Sequence, residues 1–290
     1  MVCDPERARC RRMKAAAFEY ARANSLAEAI KVLCSATEAG QDAQVVAGGQ
    51  SLLAMMNLRV SSPDLLVDIS RIEQLRVVLD ESDAIRFGAC VTHAAIEDRA
   101  MPDPSRGLMP MVAGNLAYRA VRTRGTLGGS LALSDPAGDW VTVMQAIGAR
   151  VGLVGDKGRR EVEALGFTTG LYETARAPNE IIESVRIPKL SAAARWGFSK
   201  FCRKSGEFAH SIAAVVIDPE RDFARIVLGG SGAAPMCLER ASQSLLQRAG
   251  FQSVERAAED DLANRDDAHD EFQRSVHGAT IARALSQVLS

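Results

Sequence analysis

Two glycine-rich stretches hold the residues best suited to gripping a large anion. The first, Ala47-Gly48-Gly49-Gln50-Ser51-Leu52-Leu53, follows directly on Val45-Val46. The second runs Arg124-Gly125-Thr126-Leu127-Gly128-Gly129-Ser130 and continues through Asp135-Pro136 to Asp139-Trp140. Glycine lets the backbone turn through conformations closed to other residues and brings amides close to a ligand. Thr126 and Ser130 add hydroxyl donors beside those amides, as an anion-binding concavity requires. Either stretch alone fits a tight packing turn equally well. The pair, with Asp139 behind the second, points to two backbone cradles around one anionic cofactor.

Competing chemistries lack their residues. Gly155-Asp-Lys-Gly158 is too short for a P-loop, and Gly230-Ser-Gly232-Ala-Ala-Pro235 lacks the third glycine of a dinucleotide fingerprint. The six cysteines show no C-x-x-C or cluster spacing, and the four histidines form no metal-ligand pattern. The cysteines read as reduced, mostly buried small residues, and each histidine as a core or surface residue. Redox chemistry on this chain therefore calls for an organic cofactor.

The two stretches, in this order and followed by Asp-Pro-x-x-Asp, resemble the FAD-binding medium subunit of the molybdenum hydroxylases. That family includes carbon monoxide dehydrogenase, xanthine dehydrogenase and bacterial N-heterocycle dehydrogenases. The resemblance runs from about Met13 to the C-terminus, and Arg203-Lys-Ser-Gly-Glu-Phe-Ala-His210 and Gly229-Gly-Ser-Gly-Ala-Ala-Pro235 fit its recurring phrases. It implies one FAD, with Val46, Ala47, Gly48, Gly49, Gln50, Ser51 and Leu52 in the first cradle. Thr126, Gly128, Gly129 and Ser130 form the second. Leu116 and Ile182 match apolar contacts to the cofactor, although the residues alone read as ordinary core. Asp139 matches a polar contact, and capping the helix that begins near Trp140 suits it equally. No His or Cys stands in either stretch, so the flavin is expected to be noncovalent. Some relatives carry a lysine near the flavin on the strand after the linker. Counting back from Glu207-Phe208-Ala209 puts Ser199 there, and Lys200, one residue off, is expected to face away.

The resemblance implies an α+β fold: a two-subdomain, vanillyl-alcohol-oxidase/PCMH-like FAD-binding domain over 13–190, then a small α/β C-terminal domain over 196–290. The subdomains are expected at about 13–70 and 71–190. The residues themselves predict a strand at Phe18–Tyr20 and a helix opened by the capping box Ser25-Leu-Ala-Glu28. Strands follow at Gln44–Ala47, Leu65–Ile69, Val77–Leu79 and Ile85–Phe87, and Thr92 is placed to cap a short helix. Met109–Arg122 reads as one helix with Val112, Leu116 and Val121 inward. Trp140–Ile147 reads as an apolar helix, and Gly155-Asp-Lys-Gly158 as a hairpin turn. Ile181–Pro188 ends the first domain and Ser191–Arg195 is the linker. Three strands, at Trp196–Arg203, Ser211–Ile217 and Phe223–Leu228, precede helices around Leu238–Ala249, Val254–Leu262 and Glu271–Leu289.

With 290 residues, 47% of them hydrophobic, the chain can bury a substantial core. A net charge of −1 gives no broad attraction to nucleic acid or anionic membrane. No apolar run is long enough to span a bilayer. Met1–Arg12 is basic and aperiodic and, because the resemblance begins only at Met13, reads as an extension or an upstream start codon; it lacks the apolar core of a secretory signal, so the cytoplasm is the expected compartment. The resemblance implies a flavin subunit beside a large molybdenum-cofactor subunit and a small [2Fe-2S] subunit, as (αβγ)2, passing electrons to an external acceptor. A self-sufficient FAD oxidase needs a catalytic base or covalent flavin link, which this sequence does not offer. A non-enzymatic scaffold needs the glycines to be turns only.

Overall fold

Three sheets position one cavity. The computed structural model describes residues 14–263 and 271–289, so the basic extension Met1–Arg12 and His269 lie outside the described residues. The first sheet is parallel: β1 (Glu19–Arg22) and β2 (Ala43–Val46) flank β3 (Leu65–Asp68). β3 is central and wholly buried, which matches its unbroken run Leu65-Leu66-Val67. β2 is an edge strand and only Val46 of it is fully buried; all four residues line the cavity, and Ala43 and Val45 also pack against the core. Between them, α1 (Leu26–Glu38) opens as its capping box predicts. Ser25 accepts from the Glu28 amide at 3.1 Å, and the Glu28 carboxylate accepts from the Asn24 amide at 2.8 Å. Such a cap stabilises a helix by about 1 kcal/mol.

The second sheet is antiparallel, in the order β4 (Val78–Asp80), β5 (Ala84–Gly88), β10 (Ile181–Pro188), β6 (Arg150–Gly155), β7 (Gly158–Glu163). Both expected hairpins are present, β4–β5 and β6–β7, and a separate two-stranded ribbon pairs β8 (Thr168–Gly170) with β9 (Glu173–Thr174). The third sheet orders β11 (Arg195–Phe201), β12 (Ser211–Asp218), β13 (Phe223–Gly229) and β14 (Met236–Cys237), again antiparallel. All of β12 is buried because both faces are covered. Ala214 and Val216 join the core of the first two sheets. Ala213, Val215 and Ile217 join a second core under α8 (Glu239–Leu246), α9 (Phe251–Ala263) and α10 (Glu271–Leu289). The period of two along one strand thus divides its side chains between two cores.

Two expectations fail here. Met109–Arg122 is not one helix but α4 (Leu108–Gly114) and α5 (Arg119–Arg122), broken where Ala117 takes φ +37°. The break frees the carbonyls of Leu116 and Ala117, and Arg122 Nη1 donates to both, at 2.7 and 3.2 Å. Its other nitrogens grip Glu97 on α3 (His93–Glu97). Nor are the cysteines mostly buried: of the four described, Cys90 is buried and Cys34, Cys202 and Cys237 are partly exposed.

The segment after β10 is pinned. Asp218, fully buried at the end of β12, accepts from the Ser191 amide at 2.9 Å and from its hydroxyl. Asp218→Ala strands both donors, and unmade buried hydrogen bonds cost about 1–3 kcal/mol. Urea unfolding should show a loss of that size; an unchanged midpoint would mean that water replaces the carboxylate without cost.

Candidate functional site

A cavity of about 600 Å³ lies between the first sheet, the start of β10 and the segment joining β11 to β12. Every residue that the sequence marked for the cofactor lines it. Val46 through Leu52 line it, as do Leu116, Thr126, Gly128, Gly129, Ser130, Asp139 and Ile182. The first stretch behaves as a cradle. Gly49 takes φ +70°, a conformation that favours glycine. The amides of Gly48, Gly49, Gln50, Ser51 and Leu52 donate to no acceptor among the described residues. Gln50 Nε2 closes back on the Gly48 carbonyl at 3.1 Å, and α2 (Leu52–Asn57) begins immediately after. Consecutive unpaired donors at a cavity wall make an anion site.

The second stretch is different. It is the start of α6 (Leu127–Leu133), with Thr126 as N-cap. Its amides are already used: Leu127 donates to Val91 O at 3.0 Å, Gly128 to Ala89 O at 2.9 Å and Gly129 to Thr126 Oγ1 at 3.0 Å. Gly128 and Gly129 have ordinary negative φ. A side chain at Gly128 would run into Ala89, so that glycine permits packing rather than an unusual turn. The expected second amide cradle is therefore a helix start whose contribution to the cavity is small size and the Ser130 hydroxyl.

His93 stands behind that hydroxyl. It is 5% exposed and lies among the cavity-lining residues. Trp140 Nε1 donates to its Nδ1 at 3.1 Å, and its Nε2 sits 3.3 Å from Ser130 Oγ. Burial, with the Arg122 charge adding to it, lowers the imidazole pKa to about 4, so it is neutral at neutral pH.

Asp139 is settled by its surroundings. Gly138 is the N-cap of α7 (Asp139–Ala146) and Asp139 is its first residue, so the capping role falls away. Its Oδ2 accepts from Lys200 Nζ at 2.9 Å, with the two side chains 3% and 10% exposed. Its Oδ1 is buried without a partner. Burial pushes the Asp139 pKa up, and the lysine opposes it. Lys200 thus faces inward, against the expectation. Trp196, Phe198 and Lys200 share one parity on β11, and Trp196 and Phe198 pack on the core of the first two sheets. The period-two reasoning was sound but its phase was wrong by one residue.

Charge in the cavity wall is mostly negative: Asp42, Asp135, Asp139, Glu180 and Glu207 face one cation, Arg176. Glu180 is held by Arg160 at 2.7 Å. Arg176 Nη1 donates to the Glu180 carbonyl at 2.7 Å, and desolvation lowers the pKa of its guanidinium. Any anion bound here is recognised mainly by amides and hydroxyls.

Residues 16–190 match the family model described as the FAD-binding domain in molybdopterin dehydrogenase. The chain belongs to this family. It is 36% identical to the nicotine 6-hydroxylase medium subunit of Paenarthrobacter nicotinovorans, over 76% of each chain. It is 32% identical to the carbon monoxide dehydrogenase medium chain of Hydrogenophaga pseudoflava, over 93% of this chain and 96% of that one. A solved structure of carbon monoxide dehydrogenase from the same organism superposes with a TM-score of 0.87 at 32% identity, covering 95% of this chain and 98% of its counterpart. The protein is thus one of the FAD-binding medium subunits of the molybdenum hydroxylase type, a family whose members are named as dehydrogenases. Among the described residues no helix is long and apolar enough to cross a membrane, and no cluster of His, Cys, Asp and Glu stands ready for a metal.

For this medium subunit, sequence reasoning missed His93, Lys200 and Arg176. His93 has no partner at a telling spacing: Trp140 is 47 positions away and Ser130 is 37. The Lys200–Asp139 pair yields a test. Lys200→Met leaves a buried, unpaired carboxylate, and breaking such a pair costs about 3–5 kcal/mol. Because the folded-state pKa of Asp139 is raised, the folded chain takes up its proton at higher pH than the unfolded chain does. The penalty is therefore largest at high pH and shrinks as pH falls through the folded pKa. Urea denaturation across pH should show that trend, and adding Asp139→Asn should recover most of the loss.

Proposed function

We propose that this chain holds one FAD noncovalently in the 600 Å³ cavity and relays electrons through it. The observation carrying this reading is the run of unpaired amides from Gly48 to Leu52. FAD brings two phosphates to a wall whose side chains are mainly acidic, so backbone donors must offset their charge. The buried, unpartnered Asp139 Oδ1 fits a cofactor hydroxyl or ring N–H as donor. Leu116 and Ile182 supply apolar surface for its flat rings. When bound, FAD accepts electrons singly and releases them singly or in pairs; the protein's share is to bind, orient and exclude water.

Electrons arrive, in this reading, from [2Fe-2S] clusters of a small partner, fed by a large molybdenum-cofactor subunit that oxidises the substrate. They leave to an external acceptor, and two such trimers pair as (αβγ)2. The relatives support the assembly, being medium chains of dehydrogenases. The region up to residue 190 acts as the two-subdomain, PCMH-like flavin unit, and the region from 196 as the C-terminal domain. Lys200, reaching back from β11 to Asp139, ties the second to the first.

Gly49→Val places a β-branched residue where φ is +70° and its Cβ would meet Leu53. We expect flavin content to fall at least tenfold with the far-UV spectrum unchanged. Full flavin content would remove the first stretch from the site.

The isolated chain is expected to be catalytically incomplete. Dithionite should bleach its flavin, whereas a heterocycle, an aldehyde or carbon monoxide should not. Mixed with both partner subunits, the flavin should bleach on adding the complex's substrate. Turnover of an organic substrate by the single chain would replace this reading with a self-sufficient oxidase.

A further inference from the structure

The second glycine stretch has spent its amides on internal bonds, so its remaining donors toward the cavity are the hydroxyls of Thr126 and Ser130. Ser130 lies in the cavity wall, and among the described residues its Oγ has one side-chain neighbour, His93 Nε2 at 3.3 Å. Which atom donates in that contact follows from the other side of the ring. Indole N–H is a donor with no acceptor capacity. Trp140 Nε1 reaches His93 Nδ1 at 3.1 Å, so Nδ1 carries the lone pair and, in a neutral ring, Nε2 carries the proton. The Nε2–H then donates to Ser130 Oγ, and the hydroxyl proton of Ser130 is left to point elsewhere.

We propose that His93 is a positioning residue: the Trp140–His93–Ser130 chain fixes the Ser130 hydroxyl as an outward donor to the anionic cofactor. Without the imidazole, the hydroxyl is free to rotate and to spend its proton on a protein acceptor. His93 is also fixed through its backbone and its packing. Its amide donates to the Gly125 carbonyl at 3.0 Å, and it lies 6.0 Å from the Trp140 ring, tilted by 33°. A Cβ at Gly125 would fall 2.8 Å from the imidazole Cδ2, so the ring occupies the space a larger residue there would need. Burial and the Arg122 charge keep it neutral, which the arrangement requires, since a cationic ring has no acceptor for Trp140. The proposal rests on Ser130 contacting FAD, and its test separates the two.

FAD is titrated into the flavin-free full chain and followed by quenching of flavin fluorescence. Ser130→Ala is expected to weaken binding about tenfold or more, as loss of a hydrogen bond to a charged group does. His93→Gln is expected to weaken it by a similar factor, and the Ser130→Ala/His93→Gln double variant should be no weaker than Ser130→Ala alone. Full affinity in Ser130→Ala would overturn both the contact and the proposal. If Ser130→Ala weakens binding but the His93→Gln loss multiplies in full, the contact stands and the proposal fails, because His93 then acts independently of Ser130. Long-range 1H–15N spectra of the wild-type histidines supply a readout free of any folding defect. They should show His93 protonated at Nε2 and bare at Nδ1, with Trp140→Phe releasing that preference. A proton on Nδ1 in the wild type would overturn the proposal.

Discussion

The site depends on how closely two backbone segments meet at Gly48. Any side chain there would strike the Arg124 carbonyl, so hydrogen at the α-carbon lets the first glycine stretch lie directly against the second. That contact brings the free amides of Gly48 to Leu52 and the start of α6 into the lining of one cavity. The left-handed turn at Gly49 then feeds the chain into α2 without a strained side chain. Chemistry and packing are joined at one spot: the residue type that exposes amides to a phosphate also permits the walls to approach.

The two walls share the work unequally. One offers backbone donors whose dipoles are fixed by the chain and need no buried cation. The other has spent its amides on Val91, Ala89 and Thr126, which welds α6 to the end of β5 and makes the wall rigid. What remains polar on that side is held by buried partners: Ser130 by His93 and Asp139 by Lys200. Each partner comes from a distant segment, α3 in one case and β11 in the other. Preorganisation of this sort lowers the ordering cost when a flexible dinucleotide binds.

The third sheet reads as more than an appendage. β12 feeds both cores, Asp218 clamps Ser191, and Lys200 reaches the cavity carboxylate. The C-terminal region is therefore joined to the cavity both by that buried ion pair and by Gly206, Glu207 and Phe208, which line it directly.

Sequence alone determined what is written locally. Gly48-Gly49 with Gln50 and Ser51, the Ser25–Glu28 capping box, the Thr92 cap and both hairpins follow from residues within a few positions of one another, and all are present. The residues that line the cavity were legible for the same reason, because glycine and hydroxyl side chains advertise close backbone approach, whereas FAD itself was implied by the family resemblance of the two stretches. Tertiary structure decided the rest. Gly128 and Gly129 looked like a second cradle until Ala89 and Val91 consumed the surrounding amides from across the fold. The helix across Met109–Arg122 breaks at Ala117, and Arg122, bridging Glu97 and the two freed carbonyls, holds the break from a distant segment. Lys200 faces inward because pairing with β12 sets the phase of β11, and a period of two cannot announce its own phase. His93 became a cavity residue only when Trp140 and Ser130 closed on it from 47 and 37 positions away, a separation that no local pattern encodes.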